Sequence, residues 1–428
     1  LIRGGHNFSK VRASSEKVWS CLDKVDMLIA MNQDTIKKHE DELKEDGTIV
    51  FDGDVVEYKG NKRAFGIPLS SMVKQVDGNK MMRNSIALGA VCYLLGIDPS
   101  IVETLFKEVY KKSFETDWKL FMVGYDYAKK NFERIHEMKK LNTAPRPLLT
   151  GNEAIALGAV KAGLKVYIAY PMTPASSILH FLAKHKDDFN LIVIQPENEI
   201  AVINMALGSA YAGARTMIAT SGGGFALMQE AFSLAGMSET PLVVVEAQRT
   251  GPSTGVPTYT SQGDMRFVIH AGHGEFPRII IAPGDTEEAF YKTAEGLNLA
   301  WKYQLPVVIL SDKHLSESTM STEIDESKVE VEKGKILEKV SEGYRRYEVT
   351  NDGISPLAFP GTKSIVVKSS SYEHDEFGYT TEEPEKIRKM QEKRFRKLKT
   401  LVEDLKKRET IKVYGDENAE NVVVSWGS

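Results

Sequence analysis

Four short apolar runs, each followed by a polar or glycine-rich loop, constrain the fold of this chain more than any other feature. The runs lie at residues 166–169, 191–194, 216–219 and 242–246. A continuous apolar run of this length is typical of a parallel strand that is buried on both faces of a sheet. Helical patterns separate the runs, and two further strands are predicted at 278–282 and 306–311. Six strands alternating with helices predict an α/β fold with a doubly wound parallel sheet.

The loops that follow these strands predict a binding site. The carboxyl ends of the strands in such a sheet line one crevice, where ligands bind. The loops supply a Tyr-Pro-Met-Thr-Pro elbow at 170–174, a Gln-Pro-Glu-Asn-Glu segment at 195–199, a triple glycine at 222–224 and Arg249. We therefore expect a hydroxyl, two carboxylates, a glycine turn and an arginine to converge on one site.

Length, charge and cysteine content narrow the class of protein. The chain has 428 residues, a net charge of −4 and two cysteines, Cys21 and Cys92. The length predicts two or three domains, and the charge gives no indication of nucleic-acid binding. No apolar run approaches the roughly 20 residues of a membrane span, and isolated cysteines fit the reducing cytoplasm. Two thiols are also too few for an iron–sulfur cluster, which usually takes four. We therefore expect a cytoplasmic protein that holds no such cluster by itself.

Changes in composition predict the domain boundaries. The expected segments are an α/β domain at 1–145, the doubly wound domain at 146–325, an extended linker with a charged helix at 326–410, and the first strand of a truncated domain at 411–428. The first domain is predicted to contain strands at 27–31 and 48–51 and helices at 35–44, 79–95 and 101–114. A proline-marked linker at 143–147 closes it.

The two ends and the charged helix allow further expectations. The sequence begins with Leu1 and ends just after a valine-rich strand predicted at 422–424, so we expect a fragment of a longer protein. The helix at 382–408 has basic pairs at Lys393-Arg394 and Arg396-Lys397. We expect a solvated helix packed on a neighbouring domain, and a partner surface is the alternative.

Glu199 and Thr173 are the first candidate site residues. Glu199 opens a helix with apolar residues at helical spacing, and an acid in a first turn can simply complement the helix dipole. Glu197 is the expected cap or surface residue. Thr173 lies between two prolines, which hold its backbone away from the helical region. Its hydroxyl is suited to bind a ligand, and an N-cap for the next helix is the alternative.

Arg249 ends a buried strand and enters a loop that is rich in hydroxyls. A buried guanidinium needs an anion, which can be a ligand carboxylate or phosphate. An ion pair with Glu246 or Asp264 is the alternative. The loop supplies further donors from Ser253, Thr254, Thr258 and Thr260.

The triple glycine and His273 are weaker candidates. Gly222, Gly223 and Gly224 allow a ligand to approach the backbone at a helix start. They match neither the dinucleotide-binding fingerprint nor a P-loop. His273 could act as a base, but a histidine between glycines is more often a loop packing residue.

Taken together, these motifs resemble the α subunit of 2-oxoacid:ferredoxin oxidoreductases, including the 2-oxoglutarate type. The resemblance rests on the elbow at 170–174, the segments at 195–199, 219–222, 251–258 and 272–277, and their order. Segments 3–7 and 26–32 are similar to the γ subunit of the same enzymes, so the chain resembles an α subunit with a fused γ-like domain. The similarity extends over nearly the whole chain.

The resemblance implies thiamine diphosphate chemistry: coenzyme A-linked oxidative decarboxylation of 2-oxoacids in anaerobic metabolism, with electrons passed to ferredoxin. The domain at 146–325 is then the pyrimidine-binding domain. Glu199 matches the glutamate that bonds the aminopyrimidine ring, and Gly222, Gly223 and Phe225 complete the cofactor contacts. Thr173 and Arg249 match the residues that hold the substrate carboxylate, with Ser253, Thr254 and Thr258 beside them.

The resemblance also implies a partner. A thiamine enzyme needs a Gly-Asp-Gly element to hold magnesium and the diphosphate, and this sequence contains none. In this family a separate β subunit carries that element and the iron–sulfur ligands. The chain is therefore expected to bind no metal, to be active only with a β subunit, and to form a heterodimer or a dimer of heterodimers.

The sequence departs from the family pattern at three positions, and these departures leave the substrate open. Met172 replaces the isoleucine of the family elbow, and Gly223 replaces a common proline. Tyr259 stands where many relatives have Lys or Arg, which weakens the case for 2-oxoglutarate and leaves pyruvate, 2-oxobutyrate or branched 2-oxoacids open. The alternatives are another preference, such as indolepyruvate or 2-oxoisovalerate, or a non-catalytic assembly subunit.

Overall fold

The chain divides into two units, Leu1–Ala144 and Pro145–Ser428. The computed structural model describes residues 5–75, 79–138, 144–340, 342–416 and 418–428. Arg3 and Gly4 of the γ-like segment, and Thr143 of the predicted linker, lie outside the described residues.

The first unit is built on a three-stranded parallel sheet in the order β1-β2-β3. Its strands are β1 (Val25–Ala30), β2 (Leu43–Asp52) and β3 (Arg63–Ile67). Its helices are α1 (Gln33–His39), α2 (Leu69–Lys74), α3 (Arg83–Leu94), α4 (Pro99–Tyr110) and α5 (Phe114–Asn131). Short 3₁₀ turns lie at Glu40–Glu42 and Lys80–Met82. The predicted strands and helices correspond to β1, β2, α1, α3 and α4, whereas β3, α2 and α5 were not predicted.

Two glycines bring α3 and α5 into close contact. A methyl group at Gly89 would lie 1.9 Å from the carbonyl oxygen of Phe121, and one at Gly124 would lie 2.0 Å from that of Ile86. The backbones of the two helices can approach this closely because neither glycine has a side chain. Leu94, Leu120 and Ala128 are buried around this contact.

The second unit contains a six-stranded parallel sheet in the order β6-β5-β7-β8-β10-β9. Its strands are β5 (Val166–Ile168), β6 (Ile192–Ile194), β7 (Thr216–Thr220), β8 (Leu242–Gln248), β9 (Ile279–Ile281) and β10 (Pro306–Asp312). The chain passes from β5 to β6 on one side and then crosses to β7 on the other. The carboxyl ends of β5 and β7 therefore flank the topological switch point, where such sheets bind ligands.

Helices cover both faces of this sheet, so the predicted doubly wound architecture is confirmed. The second unit's first eight helices are α6 (Gly151–Lys161), α7 (Ser176–Lys184), α8 (Glu199–Tyr211), α9 (Gly222–Leu227), α10 (Gln229–Met237), α11 (Met265–Ile269), α12 (Thr286–Tyr303) and α13 (Lys313–Glu317). Alternating residues of β8 point to opposite faces. Val243 and Val245 join the core formed with α6, α7 and α12, whereas Val244 joins the core formed with α8, α9 and α10.

The rest of the second unit wraps this domain. An antiparallel pair joins β4 (Leu148–Thr150) to β11 (Thr319–Ser321), and a 3₁₀ turn follows at Glu326–Lys328. The last helix is α14 (Pro384–Leu405). The expectation of a solvated basic helix was wrong for part of its surface, because Lys393 and Lys397 are fully buried and both pair with Glu239.

The C-terminal residues do not form the predicted strand. Val422, Val423 and Val424 are exposed and are not paired with another strand in the described segment 418–428. A lone apolar run gains strand structure only from a neighbouring strand. Within the described residues, no helix combines the length and apolar character needed to cross a membrane.

Candidate active site at the carboxyl end of the sheet

Glu199 lies at the start of α8, next to the switch point of the sheet. The side chain of Asn198, not the expected Glu197, caps this helix by accepting a hydrogen bond from the Ala201 amide at 2.9 Å. Glu199 is 3% exposed, and its Oε1 has no hydrogen-bond partner among the described residues. A buried carboxylate oxygen without a donor is unfavourable. This atom is therefore poised to accept a hydrogen bond from a ligand.

Gly224 makes the space in which this carboxylate lies. A methyl group at Gly224 would lie 2.5 Å from Glu199 Oε1 and 2.1 Å from Thr220 Oγ1. The backbone of the triple glycine is thus approached closely by the Glu199 side chain, and the approach of a ligand stays a prediction. Gly223 is exposed, and a methyl group there would lie 3.8 Å from the Ser253 carbonyl oxygen.

The elbow after β5 is held by a residue that was not predicted. Asn152 Nδ2, on α6, donates to the Pro174 carbonyl at 2.8 Å and to Ser177 Oγ at 2.7 Å. Ala175 is the N-cap residue of α7, so Thr173 does not have the capping role that was the alternative. Thr173 is exposed at the carboxyl edge.

Arg249 connects the end of β8 to this elbow. Its Nη1 donates to the Thr173 carbonyl oxygen at 2.7 Å. The alternative of an ion pair with Glu246 or Asp264 is wrong, because those two carboxyl groups face each other instead. Since one carbonyl satisfies only one of the five N–H groups of a guanidinium, Arg249 retains donors for an anion.

The hydroxyl-rich loop after Arg249 is folded back on itself. The Val256 amide donates to the Thr250 carbonyl at 2.9 Å. Gly255 has φ of +54°, and a methyl group there would lie 1.8 Å from the same carbonyl oxygen, so the turn requires glycine. The hydroxyl residues of the loop are exposed on it: Ser253, Thr254 and Thr258.

Phe225 does not line this site with its side chain. Its ring is fully buried, and it packs against Phe232 and Phe267 at centroid distances of 5.3 and 5.5 Å. The cofactor contact that the resemblance implies for Phe225 stays a prediction, and it would have to come from the backbone, because the ring is packed in the core beneath the glycine turn. An aromatic residue directly after glycines gives no sequence signal that separates these two roles.

His273 belongs to a packed loop. Its Nδ1 lies 3.2 Å from Ser233 Oγ, and its amide donates to the same oxygen at 2.8 Å. The neighbouring Gly272 amide donates to Gln229 Oε1 at 2.6 Å. These contacts attach the loop to α10, which agrees with the packing interpretation.

Glu246 and Asp264 form a feature that the sequence did not reveal. Burial first, and then the charge of Asp264, raise the pKa of Glu246 well above its usual range. Burial also raises the pKa of Asp264, which keeps partial exposure. Within the described residues, no group of three or more His, Cys, Asp or Glu side chains is arranged to hold a metal ion.

The fold and this arrangement define the class of protein: an α/β domain of the thiamine diphosphate-binding type. Residues 157–393 match the family model described as pyruvate flavodoxin/ferredoxin oxidoreductase, thiamine diphosphate-binding, and residues 1–127 match pyruvate ferredoxin/flavodoxin oxidoreductase. The chain belongs to this oxidoreductase family and is similar to its α subunits over its whole length, so the resemblance is confirmed.

Individual relatives give the same result. The 2-oxoacid:ferredoxin oxidoreductase α subunit of Saccharolobus solfataricus is 34% identical over 493 aligned residues, which cover 100% of this chain and 77% of the relative. The 2-oxoglutarate synthase subunit KorA of Archaeoglobus fulgidus is 42% identical over 174 residues, covering 40% of this chain and 50% of the relative.

A solved structure shares the fold. It is a 2-oxoglutarate:ferredoxin oxidoreductase from Magnetococcus marinus with 2-oxoglutarate, coenzyme A and succinyl-CoA bound. Its TM-score is 0.84 at 33% identity, and the match covers 91% of this chain and 70% of that chain.

Proposed function

We propose that residues 146–325 form the pyrimidine-binding half of a thiamine diphosphate site and that Glu199 binds the ring. The observation that carries this is the buried Glu199 Oε1, which has no donor among the described residues and lies beside Gly224, where there is no side chain. A flat ring with an N–H group fits such a place, because it supplies the missing donor. Gly222 and Gly223 allow the ring to approach the backbone.

The carboxylate of Glu199 holds a proton-bearing ring nitrogen and sets the protonation of the ring. When bound, thiamine diphosphate supplies an electron sink for decarboxylation of a 2-oxoacid. Burial of Glu199 strengthens this hydrogen bond, since few water molecules compete for the carboxylate oxygen.

Arg249 and Thr173 are proposed to hold the carboxylate of the substrate. The hydrogen bond from Arg249 to the Thr173 carbonyl places both residues at one edge of the sheet. A guanidinium with remaining donors recognises a carboxylate through charge-assisted hydrogen bonds. Ser253, Thr254 and Thr258 add hydroxyl donors on the exposed loop beside them.

The overall reaction is proposed to be coenzyme A-linked oxidative decarboxylation of a 2-oxoacid, with ferredoxin as electron acceptor. We propose that it takes place in the cytoplasm and serves anaerobic metabolism. Arg249 is the only cation in residues 248–260. Since 2-oxoglutarate presents two carboxylates, this loop favours a 2-oxoacid with one carboxylate, such as pyruvate or 2-oxobutyrate.

A β subunit is proposed to complete the site as a heterodimer or dimer of heterodimers. It would carry the diphosphate and magnesium, and its iron–sulfur cluster would pass on the electrons, because this chain has two cysteines and no Gly-Asp-Gly element. Residues 1–145 are proposed to be the γ-like domain. Ile200, Leu227 and Val256, around the candidate site, are 51%, 53% and 44% exposed, which suits burial against a partner.

Glu199→Gln tests this proposal in the enzyme assembled with its β subunit. We expect a folded protein that still binds thiamine diphosphate but has lost nearly all turnover, measured as ferredoxin or viologen reduction. A variant that keeps more than about a tenth of the wild-type rate, a loss of less than about 1.4 kcal/mol in activation free energy, would contradict the role.

Arg249→Ala tests the substrate site separately. Loss of a charge-assisted pair costs on the order of 2–5 kcal/mol, so kcat/KM should fall steeply for every member of a 2-oxoacid panel. Arg249→Lys is the matched control, since it keeps the charge but not the bidentate geometry. Unchanged kinetics with reduced stability would assign Arg249 a structural role.

A further inference from the structure

Two buried carboxyl groups lie behind the glycine turn of the candidate site. Glu246, near the end of β8, is fully buried. The Asp264 amide donates to the side chain of Gln248, which lies two residues further along β8 and on the same face as Glu246, so the carboxyl groups of Asp264 and Glu246 face each other. A methyl group at Gly222 would lie 2.5 Å from Asp264 Oδ2. The pair therefore packs directly on the turn that continues to Gly224 and Glu199.

No ion pair between a cation and either carboxyl group occurs among the residues that the structure describes. Thr220, on β7, lies opposite Glu246 in the sheet register, and Gln248 accepts a hydrogen bond from the Asp264 amide at 3.0 Å. Arg249 is engaged with the elbow instead.

The other acids on this side of the sheet have separate surroundings. Asp312, at the end of β10, accepts hydrogen bonds from Gln262 and the Leu315 amide. Glu199, at the start of α8, faces Gly224. Among the residues that the structure describes, none is paired with Glu246 or Asp264 in a way that would neutralise two negative charges.

The contact between the two carboxyl groups is favourable only when one of them carries a proton. Neither Glu246 oxygen has a hydrogen-bond donor among the described residues, and two carboxylates in contact cannot donate to each other. Like charges this close do not both ionise in a buried place. Because Glu246 is fully buried whereas Asp264 is partly exposed, the neutral form belongs to Glu246 and the charge to Asp264.

We propose that Glu246 and Asp264 share one proton, and that this hydrogen-bonded pair positions the glycine turn at 222–224 against Glu199. The inference rests on the proposed function for its catalytic consequence, since the turn borders the carboxylate that binds the cofactor. The pair acts through the turn and touches no substrate. Loss of the shared proton creates two repelling charges directly behind Gly222, which displaces the turn.

Three variants of the enzyme assembled with its β subunit separate this role from simple packing. Glu246→Gln keeps the size of the side chain and a donor toward Asp264, so kcat/KM at neutral pH should stay within about threefold of wild type. Glu246→Leu removes the donor and should lower kcat/KM at least about tenfold. Asp264→Asn is the matched control: it removes the charge but leaves a side-chain oxygen that can accept the Glu246 proton, so kcat/KM at neutral pH should also stay within about threefold of wild type.

The pH profile is the readout that packing alone would not change. Wild-type kcat/KM should fall on the alkaline side as the shared proton is lost, and Glu246→Gln, which has no such proton, should lose this fall. Identical alkaline limbs in wild type and Glu246→Gln would overturn the proposal. So would equal damage from Gln and Leu at position 246, or an Asp264→Asn variant that is as damaging as Glu246→Leu.

Infrared spectroscopy of the purified chain tests the shared proton without any turnover. A protonated carboxyl C=O band should be present at neutral pH in wild type and in Glu199→Gln, and absent in Glu246→Gln. A missing band in wild type overturns the pair whatever Glu199→Gln does to activity. A band that disappears only with Glu246 supports the pair even if Glu199 proves dispensable.

Discussion

Glu239 is predicted to be the most sensitive charged residue of the second unit. It lies just after α10, is 1% exposed, and pairs with Lys393 Nζ at 2.6 Å and with Lys397. Arg346 Nη2 also donates to the Glu239 carbonyl at 2.8 Å. One carboxylate therefore balances three buried cations, and α14 is attached to the domain through them.

Because positive charges outnumber negative charges in this cluster, removing the acid should cost more stability than removing one lysine. Glu239→Gln leaves three buried cations without a counter-charge, so it should cost at least about 3–5 kcal/mol. Lys393→Met leaves Glu239 with two cations, and replacing one member of a buried ionic group by an apolar side chain of similar length should cost less than about 1.5 kcal/mol.

Stability should also depend on pH with a definite sign. Burial, together with the Lys397 and Arg346 charges, lowers the pKa of Lys393 from an ordinary value of 10.5 to about 7, although Glu239 opposes this shift. The folded state then releases a proton that the unfolded state retains until pH 10.5. Stability should therefore rise above pH 7, with a limiting slope of about 1.4 kcal/mol per pH unit, and Lys393→Met should remove this slope.

The Glu239 carboxyl contributes in the acid range. Its neighbouring cations lower its pKa below the ordinary value of 4.5 despite burial. This contribution is fully present above pH 4.5 and is lost as pH falls through the lowered pKa.

Hydrogen exchange of amides in α14 measures these effects locally, which is preferable to a global unfolding midpoint in a chain of two units. Equal loss of protection in Glu239→Gln and Lys393→Met would refute the charge-imbalance reasoning. A flat pH dependence of α14 exchange protection above pH 7, after correction for intrinsic exchange rates, would refute the lowered pKa of Lys393.

Three further substitutions follow from the contacts described above. Gly224→Ala places a methyl group 2.5 Å from the carboxylate it faces, so thiamine diphosphate affinity should fall along with about 1–3 kcal/mol of stability; Gly208→Ala, with nothing within 4 Å, should not destabilise the isolated chain in a melting experiment. Asn152→Ala removes the bonds to the elbow and to Ser177 at the start of α7, costs about 1–3 kcal/mol, and should raise KM across a 2-oxoacid panel; an unchanged KM would show that the elbow is rigid without it. Gly89→Ala should destabilise the first unit by at least about 2 kcal/mol, although the same change in an exposed helix stabilises by about 1 kcal/mol. Hydrogen-exchange protection of α3 peptides, which should fall in the first case and rise in the second, shows which effect dominates.

The sheet of the second unit could be predicted because its signal is local. Each buried parallel strand is a continuous apolar run, and each is bounded by glycine, proline or polar residues. The first unit was predicted less fully. β3 (Arg63–Ile67) is short, begins with Arg63 and contains a glycine, so it lacks the continuous apolar run that reveals a buried strand.

Contacts between distant residues could not be predicted. Asn152 reaches the elbow from α6, and Asp264 reaches Glu246 from a loop. Lys393 and Lys397 did have a positional signal, because with Met390 and Leu401 they follow the spacing of one helix face. Hydrophobicity alone predicts that the two lysines lie in solvent. They are buried because Glu239, from another part of the chain, pairs with both of them.

Three buried glutamates of this unit show why burial alone does not identify a functional residue. Glu239 is surrounded by cations of the same chain, which balance its charge, so its role is structural. Glu246 faces another acid, and a proton is enough to complete that contact. Glu199 Oε1 has neither kind of partner among the described residues, and we propose that a bound ligand supplies its donor. An unsatisfied buried carboxylate costs stability, and the position of Glu199 at the switch point of the sheet agrees with the proposed contact to a bound ring. The same reasoning predicts that Glu199→Gln stabilises the isolated chain or leaves its stability unchanged, whereas Glu239→Gln destabilises it, and melting the two variants side by side tests this.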